Sequence, residues 1–146
     1  MSSSTLNWKG IIIGSLIGLL IAWLLNVIVQ FAAGFILGFQ LRGTPPQDML
    51  VATLMSWPVV LTGMLLAFSG GLVGGRRGAR DSEGQELVAG LIVGLIVAIV
   101  VMFWRYISGW GFDLWTAIDG VAAIVGGAVG GWLIQRRGHG MLHPAV

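Results

Sequence analysis

Four long apolar runs, separated only by short polar breaks, leave this chain few ways to fold. They cover residues 10–40, 47–75, 86–107 and 113–135 approximately. A helix that crosses a bilayer needs about 20 apolar residues, and in hydrocarbon its backbone amides must be satisfied within the coil. Only 10% of the 146 residues are charged while 56% are hydrophobic. Soluble domains carry about 25% charged residues, so a water-facing surface cannot be built here. The expected fold is all-α: a single polytopic membrane domain of four transmembrane helices, with the lipid bilayer as its first partner. The first run opens like a signal peptide, with Lys9 ahead of apolar residues. It is longer than a signal core and no small-x-small site closes it, so an uncleaved span is expected.

The absence of cysteine excludes disulfides, thiolate metal sites and a cysteine nucleophile. A net charge of +2 is no nucleic-acid footprint. The basic residues read instead as topology signals. With four spans, Lys9, Arg76, Arg77, Arg80, Arg136 and Arg137 share one side, and only Arg42 and Arg105 lie on the other. Positive charge stays cytoplasmic, so both termini are expected in the cytoplasm and the chain in the cell (inner or plasma) membrane. The aromatics agree: Trp104, Tyr106, Trp110, Phe112 and Trp115 cluster at the outer interface, with Trp8 and Trp132 at the inner one. Arg76, Arg77, Arg80, Arg136 and Arg137 could also meet anionic lipid headgroups.

Several breaks carry helix punctuation. Thr44-Pro45-Pro46-Gln47 and Ser82-x-x-Gln85 read as capping boxes, and Asp113 as a further N-cap. Pro58 is expected to kink the second run. The first two runs are longer than the hydrocarbon core requires. They must tilt, or project beyond the outer face around Phe31, Phe35 and Phe39, or break into an interfacial segment.

Most of the 24 glycines sit inside the apolar runs. Glycine costs a soluble helix about 1 kcal/mol relative to alanine, whereas between membrane helices it lets backbones approach closely. Small residues recur at every fourth position, one face of a helix: Gly10, Gly14, Gly18, Ala22 in the first run; Gly63, Ala67, Gly71, Gly75 in the second; Gly90, Gly94, Ala98 in the third; Ala123, Gly127, Gly131 in the fourth. The second and fourth runs carry another ridge beside the first, Gly70/Gly74 and Gly126/Gly130. A doubled ridge can serve two neighbours, so these two helices are expected to meet each other and a further neighbour. That neighbour lies in the same chain, in a homo-oligomer or in a larger membrane complex. Gly70-Gly71-Leu72-Val73-Gly74-Gly75 and Gly126-Gly127-Ala128-Val129-Gly130-Gly131 also resemble each other, as do Gly10–Gly14 and Gly90–Gly94. The pattern suggests two tandem copies of a helical hairpin.

Polar side chains at membrane depth are the default functional candidates. Asn26 and Gln30 lie one turn apart, either bonding between helices or lining a polar pathway. Asp119 lies six residues past Asp113, roughly 9 Å into its helix. It needs a partner, and Arg105 near the outer end of the third run is the obvious one. A structural ion pair and a proton or cation site are the alternatives. His139 and His143 sit in a tail that glycine and proline keep from being helical, a weak metal signal. No nucleophile elbow, HExxH or phosphate loop is present, so neither an enzyme nor a cofactor is expected.

The Gly-Gly-x-x-Gly-Gly-Arg-Arg segment, the acidic loop after it and the glycine-rich helix that follows, about residues 69–97, resemble small four-helix prokaryotic membrane proteins of the YrzE type. The resemblance implies a four-helix membrane fold and no activity. The leading expectation is a structural, accessory or self-associating membrane subunit. The alternative is a small channel or transporter subunit using Asn26, Gln30 and Asp119.

Overall fold

The structure, a computed structural model, describes residues 6–107 and 114–140, with side chains up to 138. The turn at Ser108–Gly111, the aromatics Trp110 and Phe112, the cap Asp113, and His143 lie outside the described residues. Five helices follow in order: α1 (Trp8–Leu41), α2 (Gln47–Leu54), α3 (Trp57–Ala79), α4 (Glu86–Ile107) and α5 (Leu114–Gly140). Four of them, α1, α3, α4 and α5, are long and apolar enough to cross a membrane.

Asn7 starts α1. Its Oδ1 accepts from the Gly10 N–H at 3.1 Å, which satisfies one of the orphan donors of the first turn. The helix then runs unbroken for 34 residues, about 51 Å at 1.5 Å per residue. The stretch with Phe31, Phe35 and Phe39 is therefore helical and does not break into an interfacial segment. Arg42, with φ 54, turns the chain out of α1 in the left-handed region.

The second run is not one kinked helix. It breaks at Met55–Ser56 into α2 and α3, and Pro58 stands in the first turn of α3. A proline ring clashes with the carbonyl four residues back, here Leu54, which is where α2 ends. In the first turn of α3 its missing N–H removes nothing. The two capping boxes are also not used as the sequence suggests. Pro46, not Thr44, occupies the N-cap position of α2. Ser82 does not cap α4, which starts at Glu86. Gly84, with φ 75, turns the chain between them. Ser82 is fully buried; its Oγ accepts from the Asn7 N–H at 3.2 Å and donates to the Gly78 carbonyl at 3.4 Å. The helices also outrun their expected ends. α3 passes through Arg76 and Arg77 to Ala79, and α5 continues through His139 to Gly140.

The four long helices alternate in direction. α3 packs against α1, α4 and α5, and α4 against α1 and α5, while α1 and α5 share no contact among the described residues. In cross-section this is a rhombus with α3 and α4 on its short diagonal. Its core is small-residued: Ile11, Ala67, Ala79, Ala89, Val93, Val97, Ala98 and Ala123. Many large apolar side chains point the other way, with Ile12, Leu24, Phe35, Leu65, Phe103 and Val125 all exposed. Water does not tolerate a surface of that kind, whereas lipid does.

Helix contacts concentrate where glycines meet carbonyls. A Cβ on Gly14 would stand 2.5 Å from the Gly74 oxygen, and one on Gly18 would stand 2.7 Å from that of Gly70. On the other ridge of α3, a Cβ on Gly75 would lie 2.8 Å from Gly127 Cα, and one on Gly71 would strike the Ala123 carbonyl. Gly126 and Gly130 face Phe68, Leu72 and Arg76 of α3. Gly90 and Gly94 of α4 face Ala123, Gly127 and Gly131 of α5, with a Cβ on Gly94 only 2.9 Å from Ile124 Cα. Real side chains do not sit so close to backbone, so a side chain at these positions requires the helices to shift. Both ridges of α3 and both ridges of α5 are thus occupied by helices of the same chain.

Candidate functional site

The same register that brings Gly14 to Gly74 and Gly18 to Gly70 carries Asn26, in further four-residue steps, to the level of Thr62 and Gly63. Gly63 in turn faces α5: a Cβ there would stand 3.9 Å from Asp119 Oδ1. Asn26, Gly63 and Asp119 therefore share one height in the bundle. Here the rhombus opens. A cavity of about 640 Å³ lies between α1, α3, α4 and α5, and Asn26, Gln30, Arg105, Thr116 and Asp119 all line it. That volume falls within the ~300–1,000 Å³ range of small-molecule sites.

The centre of the site is an ion pair. Arg105, in the last turn of α4, places Nη2 2.8 Å from Asp119 Oδ2, and its Nη1 donates to Thr116 Oγ1 at 3.2 Å. Thr116 and Asp119 are three residues apart, hence on one face of α5, and that face presents both acceptors to the guanidinium. The two charges are unequally sealed, with the Asp119 side chain 6% exposed and that of Arg105 31% exposed. On α1, the Gln30 amide donates through Nε2 to Asn26 Oδ1 at 2.6 Å, again within one helix face. The expected polar residues thus form two pairs, one within α1 and one between α4 and α5, at one cavity.

Two contributors were not visible in the chain alone. Thr116 completes the hold on Arg105, and its spacing from Asp119 was the available signal. Gly63 appears in the sequence as a packing glycine but faces the carboxylate instead. Trp115 also lines the cavity and stacks edge-on against Trp57, with centroids 5.2 Å apart and planes at 78°. Below this level the glycine contacts and Val93 and Val97, both fully buried, close the bundle. The other hydroxyls make local bonds: Ser15 donates to Ile11, Thr53 to Met49, Thr62 to Pro58 and Ser69 to Leu65, all to carbonyls one turn back.

The basic residues gather at the opposite end. The Asn7–Ser82 bond, the Gly10–Gly78 approach and the contacts of Gly130 and Gly131 with Arg76 and Glu86 tie four helix ends together there. Arg76 and Arg77 are half-buried and Arg80 is exposed. Arg77 reaches Asp81 at 3.2 Å. Arg136 stacks over Trp132 at 5.3 Å, and Arg137 is exposed. No group of three or more His, Asp or Glu side chains that could hold a metal ion occurs among the described residues. Comparison with known protein families, with curated proteins and with solved structures finds no match for this chain.

Proposed function

We propose that this chain is a four-span integral membrane protein of the plasma or inner membrane that binds a bilayer-derived ligand in the Arg105–Asp119 cavity. In this reading it is a small binding subunit of the transport class. Both termini lie in the cytoplasm, because the basic end carries Lys9, Arg76, Arg77, Arg80, Arg136 and Arg137. One observation carries the proposal: polar groups from α1, α4 and α5, including the Arg105–Asp119 ion pair, converge on one cavity. Ionisable groups at membrane depth are expensive and persist where they serve a site. The assembly reading loses weight for the opposite reason. The glycine ridges that could join separate chains are occupied within this one. The closed layer around Val93 and Val97 counts against a through-going pore in a single chain.

A lipid carrying a photoreactive group in its acyl chain tests this directly. In vesicles, adducts are expected on Leu66 and Ala67, which line the cavity. Labelling confined to outward residues such as Leu65 and Val125 contradicts the reading. A second reading, docking to a larger membrane complex, is favoured by the outer half of α1, where Phe31, Phe35 and Phe39 are exposed. In that case, chemical cross-links from this segment to another protein are the expected result.

A further inference from the structure

The inner half of the cavity is apolar, and its polar groups lie in the outer half, set among Leu54, Met55, Val59 and Trp115; an apolar inner half under a polar level matches a lipid of the outer leaflet. Asn26, Gln30 and Arg105 lie toward the ends of the helices away from the basic side, whereas Leu16, Leu19 and Leu66 line the deeper part. An amphiphile entering from the outer leaflet keeps its own orientation: head toward the interface, tail toward the midplane.

The polar level carries acceptors in Asp119 and Gln30, but its more exposed charge is a donor. Arg105 has five N–H donors and uses two of its nitrogens on Thr116 and Asp119. Its side chain is the more exposed member of the ion pair, so the charge that faces a newcomer is positive. Asn26 accepts from Gln30 through its carbonyl oxygen, which leaves its NH2 to donate. Two donor groups, one of them a guanidinium, above an apolar inner half suit an acceptor-rich anion. Guanidinium forms its strongest bonds with carboxylate and phosphate. A cationic head would have to displace Arg105 from Asp119, and a neutral hydroxyl would forgo the charge-assisted bond.

Resting on the reading of this cavity as a binding site, we propose that its ligand is an anionic amphiphile: a carboxylate or phosphate monoester head, held by Arg105 and Asn26, on a hydrocarbon tail. Asp119 is then a positioning residue that holds the guanidinium in place from behind.

The test uses the full chain in phosphatidylcholine vesicles with the photoreactive lipid bound. Four kinds of competitor are added: decanoate or decyl phosphate, decanol, decylammonium, and the tail-less anions acetate and inorganic phosphate. Protection of Leu66 and Ala67 by decanoate or decyl phosphate is expected at roughly tenfold lower concentration than by decanol or decylammonium, with no protection by acetate or phosphate. Arg105→Lys, which keeps the charge but loses the planar fork, should narrow that preference while photolabelling of Leu66 persists. If decanol or decylammonium protects as well as the anions do, the headgroup assignment is overturned and the cavity reading stands. If acetate or phosphate protects as well as decanoate, the site binds a free anion and the amphiphile assignment is overturned. If Leu66 and Ala67 are never labelled, the cavity reading itself falls and this inference falls with it.

Discussion

Gly127→Leu is expected to abolish the folded bundle. Gly127 is the point where three helices converge. A Cβ built there would stand 2.7 Å from Gly94 Cα and 2.8 Å from Gly94 N, while the Gly127 oxygen already sits where a Cβ on Gly75 would lie 2.5 Å away. The obstacles are backbone atoms of α4, which cannot swing aside as the end of a flexible side chain can. Overpacking among side chains costs about 1–3 kcal/mol. A clash with the α4 backbone exceeds that, so we expect more than about 4 kcal/mol, the range reserved for named structural failures. The readout is helical content and thermal unfolding in mild detergent, with Gly138→Ala as the control. Gly138 has nothing within 4 Å of its would-be Cβ, and alanine there improves helix propensity by up to about 1 kcal/mol. A Gly127→Leu protein that melts like the parent would remove the packing argument.

The second large effect concerns the ion pair, and it is asymmetric. Removing one partner from a buried pair costs about 3–5 kcal/mol, because the other charge stays behind unpaired. Arg105→Met leaves the Asp119 carboxylate, 6% exposed, without its guanidinium and with an apolar neighbour in its place, and takes the larger penalty. Asp119→Asn leaves Arg105 more open and still bonded to Thr116, so its loss is nearer the ~1–3 kcal/mol of a broken hydrogen bond. Replacing both, Arg105→Met with Asp119→Leu, should recover most of the stability, since apolar substitutes for a buried pair are often neutral or better. Unfolding of the three variants in one detergent orders them as double variant, then Asp119→Asn, then Arg105→Met, from most to least stable. Equal losses for the two single variants would mean that the pair is solvated rather than sealed.

How much of this is legible in the chain depends on the range of the interaction. Span count and helix type follow from run length, because a backbone in hydrocarbon has so few options. The Arg105–Asp119 pairing is legible for a similar reason: at membrane depth a lone carboxylate has one affordable partner. The α2–α3 break is less so. Pro58 announces a disruption, but whether a helix bends or stops depends on tertiary packing around Leu54 and Met55. The capping boxes mislead because Ser82 finds Asn7, a residue far away in sequence, and only the fold brings them together. The two Gly-Gly-x-x-Gly-Gly copies look equivalent, yet α1 uses Gly70 and Gly74 of one, while α4 uses Gly127 and Gly131 of the other. Periodicity identifies a small face without saying which neighbour takes it. The meeting of Asn26 with Asp119 at one height depends on that register and is invisible before it.

The chain has no cysteine, so single cysteines report cleanly on where each segment lies. A membrane-impermeant thiol reagent applied to intact cells or right-side-out vesicles should modify Asn26→Cys in the cavity. It should modify Gly138→Cys at the basic end only after the membrane is opened, and leave Val125→Cys, on the outward face of α5, unreacted in both conditions. That pattern is the result expected of a four-helix bundle with its basic end in the cytoplasm and a cavity reachable from outside. Modification of Gly138→Cys before opening, or an inert Asn26→Cys in a folded protein, contradicts it.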